Sequence, residues 1–547
     1  MKLRTVVRTV QALFLTSFLA SALGQEVSIP DPGLNAAIRD ALQKPTGPLT
    51  EQDLLGLSVL NAAGRNITSL QGLETARNLI SLDLQSNFFE NVSLPSTLTK
   101  LSTVDLSFSF AALRNCSFPD TLTNLSRVLV KTCALTNITL PNGLVSLVEL
   151  NLAGNRLTSL SLPPSLRGVG FLGLSNNNLQ GAAGFLTNLT EVDNLDLENN
   201  RLSNFTLPSR LTNIVFINLG FNLLITNVSL PNGLSHLETL RVDADGLNKL
   251  TLPSGLTRLL ELSAAGNPLS NLVLPADATN LVTLELSFGS LTNLTLPPEL
   301  RTLLALDLES NEMRSLVLSP KLTRLESLNL SGNQLTNLVL PAGLTNLTTL
   351  DASFNQLRSL ALPPPLPKLT SLDLGRNQLI SLQLPPGMTN LQELFLYDNS
   401  LTNLSLPPNL DSLVTLVMTD NQITSLTLPV GLTSLRNLVL NGNPLTTLAL
   451  SEVQAANLAQ TVAGLRTQGV SILIYPLTVQ LVRPRTLAGA FQFGFTGPPG
   501  IYTVLGSTNL SAWSVVGAVT NSLGSTNFTD ITANSSPQKF YRALYVP

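Results

Sequence analysis

The chain has 547 residues, of which only 12% are charged and 5% aromatic, and its formal net charge at pH 7 is −3. That length exceeds one ordinary globular core, so several domains or one extended array are expected. The near-neutral charge gives no footing for a nucleic-acid binder, and an apolar share carried largely by leucine is not that of a disordered chain.

Residues 1–24 place Lys2, Arg4 and Arg8 ahead of an apolar run of about 15 residues and end in small residues, Ala20 to Ala22 and Gly24. This is the pattern of a secretory signal peptide, too short for a membrane span. Cleavage is expected after Gly24, with Ala22 the alternative, leaving a secreted or cell-surface protein. No later stretch reaches the ~18 unbroken apolar residues of a transmembrane helix.

Residues 25–56 are expected to form a helical N-terminal cap. Asp31 is a candidate N-cap ahead of Pro32, and Leu34, Ile38, Ala41 and Leu42 would share one face. Thr50 with Asp53 has the spacing of a second capping box.

Residues 57–450 repeat L-x-x-L-x-L-x-x-N-x-L-x-x-L-x-L-P-x-x-L-x-x through 18 coils, nearly all 22 residues long. Apolar positions 4 and 6 alternate as a short strand with one buried face. The seven apolar positions of a coil bury ~10–20 kcal/mol gross. Ordering 22 backbones at ~1–2 kcal/mol each costs more. A coil therefore folds only by sharing a core with its neighbours.

Position 9 is asparagine in 13 of 18 coils: Asn87, Asn155, Asn177, Asn200, Asn222, Asn267, Asn311, Asn333, Asn355, Asn377, Asn399, Asn421 and Asn443. An amide there both donates and accepts, which suits backbone groups left open where the strand turns. Looser turns are expected at the exceptions Arg65, Ser109, Cys133, Asp245 and Gly289. Position 17 is mostly proline, as at Pro95, Pro141, Pro208 and Pro429, which should stop pairing on the convex side and leave little helix there.

The L-x-x-L-x-L-x-x-N core resembles the leucine-rich repeat family. The resemblance implies a repeat solenoid, a horseshoe with a parallel β-sheet on its concave face. The opening cap resembles that of bacterial surface proteins of the internalin kind. Cys116 and Cys133 fall at different corners of the coil, so two buried free thiols are favoured over a bridge.

Residues 451–476 read as a C-terminal cap. Ser451 and Gln454 open a helix expected to run to about Gln468, and VSILIY follows as a strand over the last open edge. In residues 477–547 the leucine pattern gives way to short alternating strands broken by Gly, Pro, Asn and Ser. Tyr502 to Trp513, Phe528 to Asp530 and Phe540 to Arg542 resemble a small all-β sandwich found in secreted bacterial multidomain proteins. Trp513, the only tryptophan, is expected as a core anchor, with a sugar-stacking platform as the alternative.

If positions 4 and 6 point inward, positions 3, 5 and 7 face out from the concave sheet. These columns hold thirteen acids and the bases Arg127, Lys131 and Arg241, a balance of 3 − 13 = −10 against −3 for the whole chain. The candidate binding residues are Asp83, Asp105, Asp196, Glu198, Glu285, Asp307, Asp351 and Asp373, with Phe395 and Tyr397 where apolar side chains replace the acids. Stacked acids are costly unless solvated, bridged by a cation or met by a basic partner. The first expectation is a non-catalytic binding protein with a protein or peptide partner, a basic one in particular, and no cofactor or resident metal. The second is a structural spacer or adhesin whose C-terminal module contacts cell-wall glycan. An extracellular hydrolase is a remote third, since His236 is the single histidine and no phosphate loop or dinucleotide fingerprint appears.

Overall fold

The computed structural model describes residues 25–109, 113–487, 489–533 and 538–546, so the expected signal peptide and its cleavage site lie outside the described residues. The chain divides into two compact units, residues 1–278 and 279–547.

In the first unit the helix Pro32–Leu42 starts at Asp31, whose carboxylate accepts the N–H of Leu34 at 3.0 Å. The same carboxylate accepts the N–H groups of Thr68 and Ser69, so one side chain caps the helix and holds the first coil. The buried face of that helix is Leu34, Ala37 and Ile38; Ala41 faces solvent, which corrects the expected stripe by one turn. Thr50 and Asp53 close a capping box on the helix Glu51–Leu55.

A ladder of three-residue parallel strands follows, from Val59–Asn61 through Ser81–Asp83, Thr103–Asp105 and onward to Glu261–Ser263, each in register with the next. The coil at 79–100 shows the reason. Leu79, Leu82, Leu84, Phe89, Val92, Leu94 and Leu98 are all buried, while Asn91 and Ser93 on the outer strand are exposed. A one-residue slip would turn that whole set to water. Outer strands such as Asn91–Ser93 and Asn137–Thr139 stop just before their Leu-Pro pairs. The proline carbonyl then accepts an N–H three residues on, as from Leu98 to Pro95 at 3.3 Å and Leu211 to Pro208 at 2.9 Å. Proline therefore both ends the outer strand and begins the return turn. The only helix among the described residues of these coils is a pair of short 3-10 turns, Leu73–Thr75 and Gly184–Asn188.

The second unit continues the pattern from Thr283–Glu285 to Asn437–Val439, again parallel and in register. Its outer side narrows to isolated bridges joining Val317, Val339, Ala361, Gln383 and Ser405 in a row. At the end of this ladder Ser451 and Gln454 form the expected capping box, but the helix breaks at Leu458 into Glu452–Asn457 and Ala459–Thr467. The strand Ser471–Tyr475 then pairs with Thr447–Ser451 and covers the open edge.

Residues 480–546 form two antiparallel three-stranded sheets. Gln480–Leu487, Ala490–Thr496 and Ser525–Asp530 make one, and Ser514–Asn521, Gly500–Ser507 and Phe540–Val546 the other. Phe493, Phe495 and Phe528 of the first sheet pack on Tyr502 and Val504 of the second. Trp513 is not in this core. It is half-buried at the surface, its indole N–H donates to the Leu510 carbonyl, and the Arg542 guanidinium lies 4.4 Å over its ring. Five aromatic and aliphatic side chains already fill the core without it. Cys116 and Cys133 are both buried and free.

Candidate functional site

The sheet face is built from positions 3, 5 and 7, and position 5 has a local duty that composition does not reveal. In each of Asp83, Asp105, Asp196, Asp307, Asp351 and Asp373 the Oδ1 atom accepts the backbone N–H two residues on, at 2.8–3.2 Å. Asn218 and Asn329 do the same at 3.1 Å. The carboxylate or amide thus closes the turn that ends each of these strands, which is why either Asp or Asn serves there.

The candidate residues fall into two groups, one in each unit. In the first unit Asp83 and Asp105 are register partners. Asp196 sits between Gly173 and Asn218, and Asn218 donates to Glu198 at 3.1 Å. Two of the bases on this face pair with acids of the neighbouring strand, Arg127 with Glu149 at 2.6 Å and Arg241 with Glu261 at 2.7 Å.

The second unit carries Glu285, Asp307, Glu309, Asp351, Asp373 and Glu393 in the same columns with no lysine or arginine among them. Position 5 reads Glu285, Asp307, Asn329, Asp351, Asp373, Phe395, Val417 and Val439 from strand to strand. Neighbouring strands lie ~4.8 Å apart, so the acids crowd one another. Burial, with the charge of Asp351 adding to it, pushes the Asp373 carboxyl up to about 6. Burial also raises Asp307, helped by Glu309, Glu285 and Asp351. After Asp373 the column turns apolar, and Phe395, Val417 and Val439 are half-buried. Tyr397 lies across Gly375, where a Cβ would come within 2.2 Å of its ring, so a glycine is needed for the ring to lie flat on the sheet.

Behind this face the asparagine column runs as a hydrogen-bond ladder. Asn333 accepts the N–H of Met313 at 3.0 Å and donates to the carbonyls of Leu308 at 2.8 Å and Leu330 at 3.1 Å. Asn155, Asn267 and Asn421 repeat the scheme. Four of the exceptions have hydrogen-bond partners of their own. Ser109 is buried and donates to Leu106, and Cys133 directs its thiol at the same carbonyl at 3.5 Å. Arg65 and Gly289 keep their N–H groups paired, to Asn87 and Ser310. At Asp245 the Oδ1 atom accepts the N–H of Asn222 at 2.7 Å, while Oδ2 is buried without a partner.

A further column was not singled out from the sequence. Position 8 is in the left-handed region in coil after coil, from Gly64 at φ 66° to Gly442 at φ 74°. Gly, Asn, Ser and Asp there are ordinary for that conformation, but Phe108, Phe221, Phe288 and Phe354 adopt it too, and all four are exposed. The sequence signal was a bulky aromatic in a column of turn residues. Among the described residues no group of three or more His, Cys, Asp or Glu is arranged to hold a metal ion, and no helix is long and apolar enough to cross a membrane.

Models of known repeat families match the sequence of these coils. The BspA type leucine-rich repeat region matches residues 84–194, 152–263, 182–284 and 242–361, which together span more than half of the chain. The chain belongs to the leucine-rich repeat family. A second leucine-rich repeat model matches residues 345–387. Among bacterial leucine-rich repeat proteins, Internalin H of Listeria monocytogenes is 40% identical over 63 residues; that stretch is 11% of this chain and 12% of Internalin H. YopM from Yersinia enterocolitica is similar in structure, with a TM-score of 0.51 and 25% identity over 81% of this chain and 94% of YopM. The functional domain of InlJ from Listeria monocytogenes, which includes a cysteine ladder, gives a TM-score of 0.54 at 18% identity over 87% of this chain and 96% of that domain. The plant peptide hormone receptor RGFR1, solved with RGF2, gives 0.50 at 22% identity, covering 79% of this chain and 77% of the receptor.

Proposed function

We propose that this leucine-rich repeat protein is a non-catalytic, exported binding protein whose sheet face takes a basic protein or peptide. The observation that carries the reading is the position 5 column of the second unit. It runs from Glu285, Asp307, Asp351 and Asp373, with no basic residue in the facing columns, directly into Phe395, Val417 and Val439. A row of carboxylates steers a cationic partner, and the apolar end supplies area that can be desolvated on contact. The same fold in the plant receptor is compatible with a bound peptide. The signal-peptide pattern of residues 1–24 supports placement outside the cell or at its surface.

The test is a binding screen of the signal-cleaved chain against surface proteins and basic peptides at low and high salt. Beside it runs the triple variant Asp307→Asn, Asp351→Asn, Asp373→Asn. Asparagine keeps the Oδ1 acceptor that closes each turn, as Asn329 does at 3.1 Å, so the variant removes charge without removing the fold. Salt-sensitive binding lost in the variant is expected. Binding indifferent to salt and to the variant would contradict the reading and move attention to the C-terminal module as the glycan-contacting alternative.

A further inference from the structure

On the sheet face of the second unit a cavity of about 350 Å³ is walled by Glu309, Asp351, Asp373, Phe354 and Tyr397, with Ser310, Ser331, Gly332 and Ser353 completing it. Acidic charge alone would describe much of that face. What sets this place apart is a half-open wall in which two aromatic rings stand with three carboxylates and no cationic side chain. The backbone decides where both rings stand. Phe354 is 47% exposed and occupies a left-handed position, φ 54°, that a bulky side chain disfavours. Tyr397 keeps its place only because Gly375 has no Cβ to meet it at 2.2 Å. The Phe354 ring already takes a cation on one face. The Arg376 guanidinium lies 4.9 Å from its centroid and pairs with Asp398, outside the cavity wall.

Carboxylates beside aromatic faces recognise organic cations. An alkylammonium offers a positive charge to the acids and polarised C–H surface to the rings. At the small end of the ~300–1,000 Å³ range of ligand pockets, the space suits a single side chain or head group, not a larger molecule. We infer that this cavity receives one alkylammonium group, the side chain of a lysine presented by the basic partner. The inference rests on the sheet-face reading above and adds to it a single anchoring point. A free quaternary ammonium such as choline shares the chemistry and is the other source.

The test is calorimetric titration of the full chain with hexalysine, with hexa-arginine and with choline chloride, at low salt. Three variants leave every charge in place: Phe354→Gly, which removes the ring at a conformation glycine accepts, Tyr397→Ala, and Gly375→Ala, which displaces the tyrosine. Circular dichroism establishes that each is folded. The expected result is hexalysine binding weakened about 3–30-fold by each variant, with hexa-arginine affected less. Choline chloride that competes with hexalysine would support the cavity and assign it to a head group. Equal hexalysine binding by wild type and all three variants, lost only in the Asp307, Asp351, Asp373 triple variant, would overturn the cavity while leaving the acidic face standing. No hexalysine binding to the wild type would overturn both.

Discussion

Asp245 is one of the five residues at which this repeat breaks its own rule, and the one that leaves a buried carboxylate oxygen without a partner. At the asparagine coils of its column the amide donates to two carbonyls, as Asn267 does to Val242 and Ala264. A carboxylate cannot donate, and Oδ2 of Asp245 is buried and unpartnered. Burial, partly offset by the Asn222 N–H and reinforced by the charge of Asp243, pushes its carboxyl up to about 8. The folded-state value therefore lies above the unfolded one near ~3.9. Below about pH 4 both states hold the proton and nothing is lost. As pH rises towards 8 the unfolded chain releases the proton while the folded chain keeps it, so stability falls by up to ~1.4 kcal/mol per pH unit. Asp245→Asn should restore the ladder, gain ~2–4 kcal/mol at pH 7 and flatten that slope, read by thermal denaturation at pH 5 and pH 8. The converse change, Asn333→Ala, strands the Met313 N–H and the Leu308 and Leu330 carbonyls. It should cost ~2–4 kcal/mol in the same assay. The asparagine ladder could be read from the sequence because its period is visible. That Asp245 stays neutral could not, since that depends on how deeply one coil buries it.

Among the elements, the strands and caps were legible and their interruptions were not. Period-two leucines locate every inner strand, and the Thr50–Asp53 and Ser451–Gln454 spacings mark two helix starts. The break at Leu458 has no such mark, because a helix joint is decided by what each half packs against. The C-terminal sheets teach the same lesson: a lone tryptophan suggested the core, yet Phe493, Phe495, Phe528, Tyr502 and Val504 occupy it. Asp530, noticed only as part of a motif, proves to be the buried polar centre of this module. It accepts Tyr541 Oη and Lys539 Nζ, both at 2.8 Å, and the Thr532 N–H at 2.7 Å. Burial works against its ionisation, but the hydrogen bonds from Lys539, Thr532 and Tyr541 hold it at about 2. A folded-state value below the unfolded one gives stability that is present above about pH 4 and lost as pH falls through 2. Asp530→Ala should cost ~2–4 kcal/mol by removing the buried acceptor shared by the Tyr541 hydroxyl, the Thr532 N–H and the half-buried Lys539 ammonium. It should also abolish that acid step in the module, measured by the fluorescence of Trp513 during denaturation.

At the scale of the whole molecule, charge is sorted between the units. The first unit answers part of its sheet-face acid with Arg127 and Arg241, whereas the facing columns of the second contain no base at all. This sorting was legible once the columns were aligned. The cavity between Phe354 and Tyr397 was not, because it needs the left-handed backbone at Phe354 and the missing Cβ at Gly375. If the second unit's face is the binding surface, affinity for a basic partner should fall steeply from low to physiological salt as the Debye length shrinks to ~8 Å. The apolar end at Phe395 and Val417 should hold a residual, salt-insensitive part. The most direct measurement is a zero-length carbodiimide cross-link between the full chain and hexalysine, mapped by mass spectrometry. Adducts concentrated on Asp307, Glu309, Asp351 and Asp373 are predicted. Adducts spread over exposed acids elsewhere, such as Glu299 and Glu452, with the sheet face left unmodified, would contradict the account.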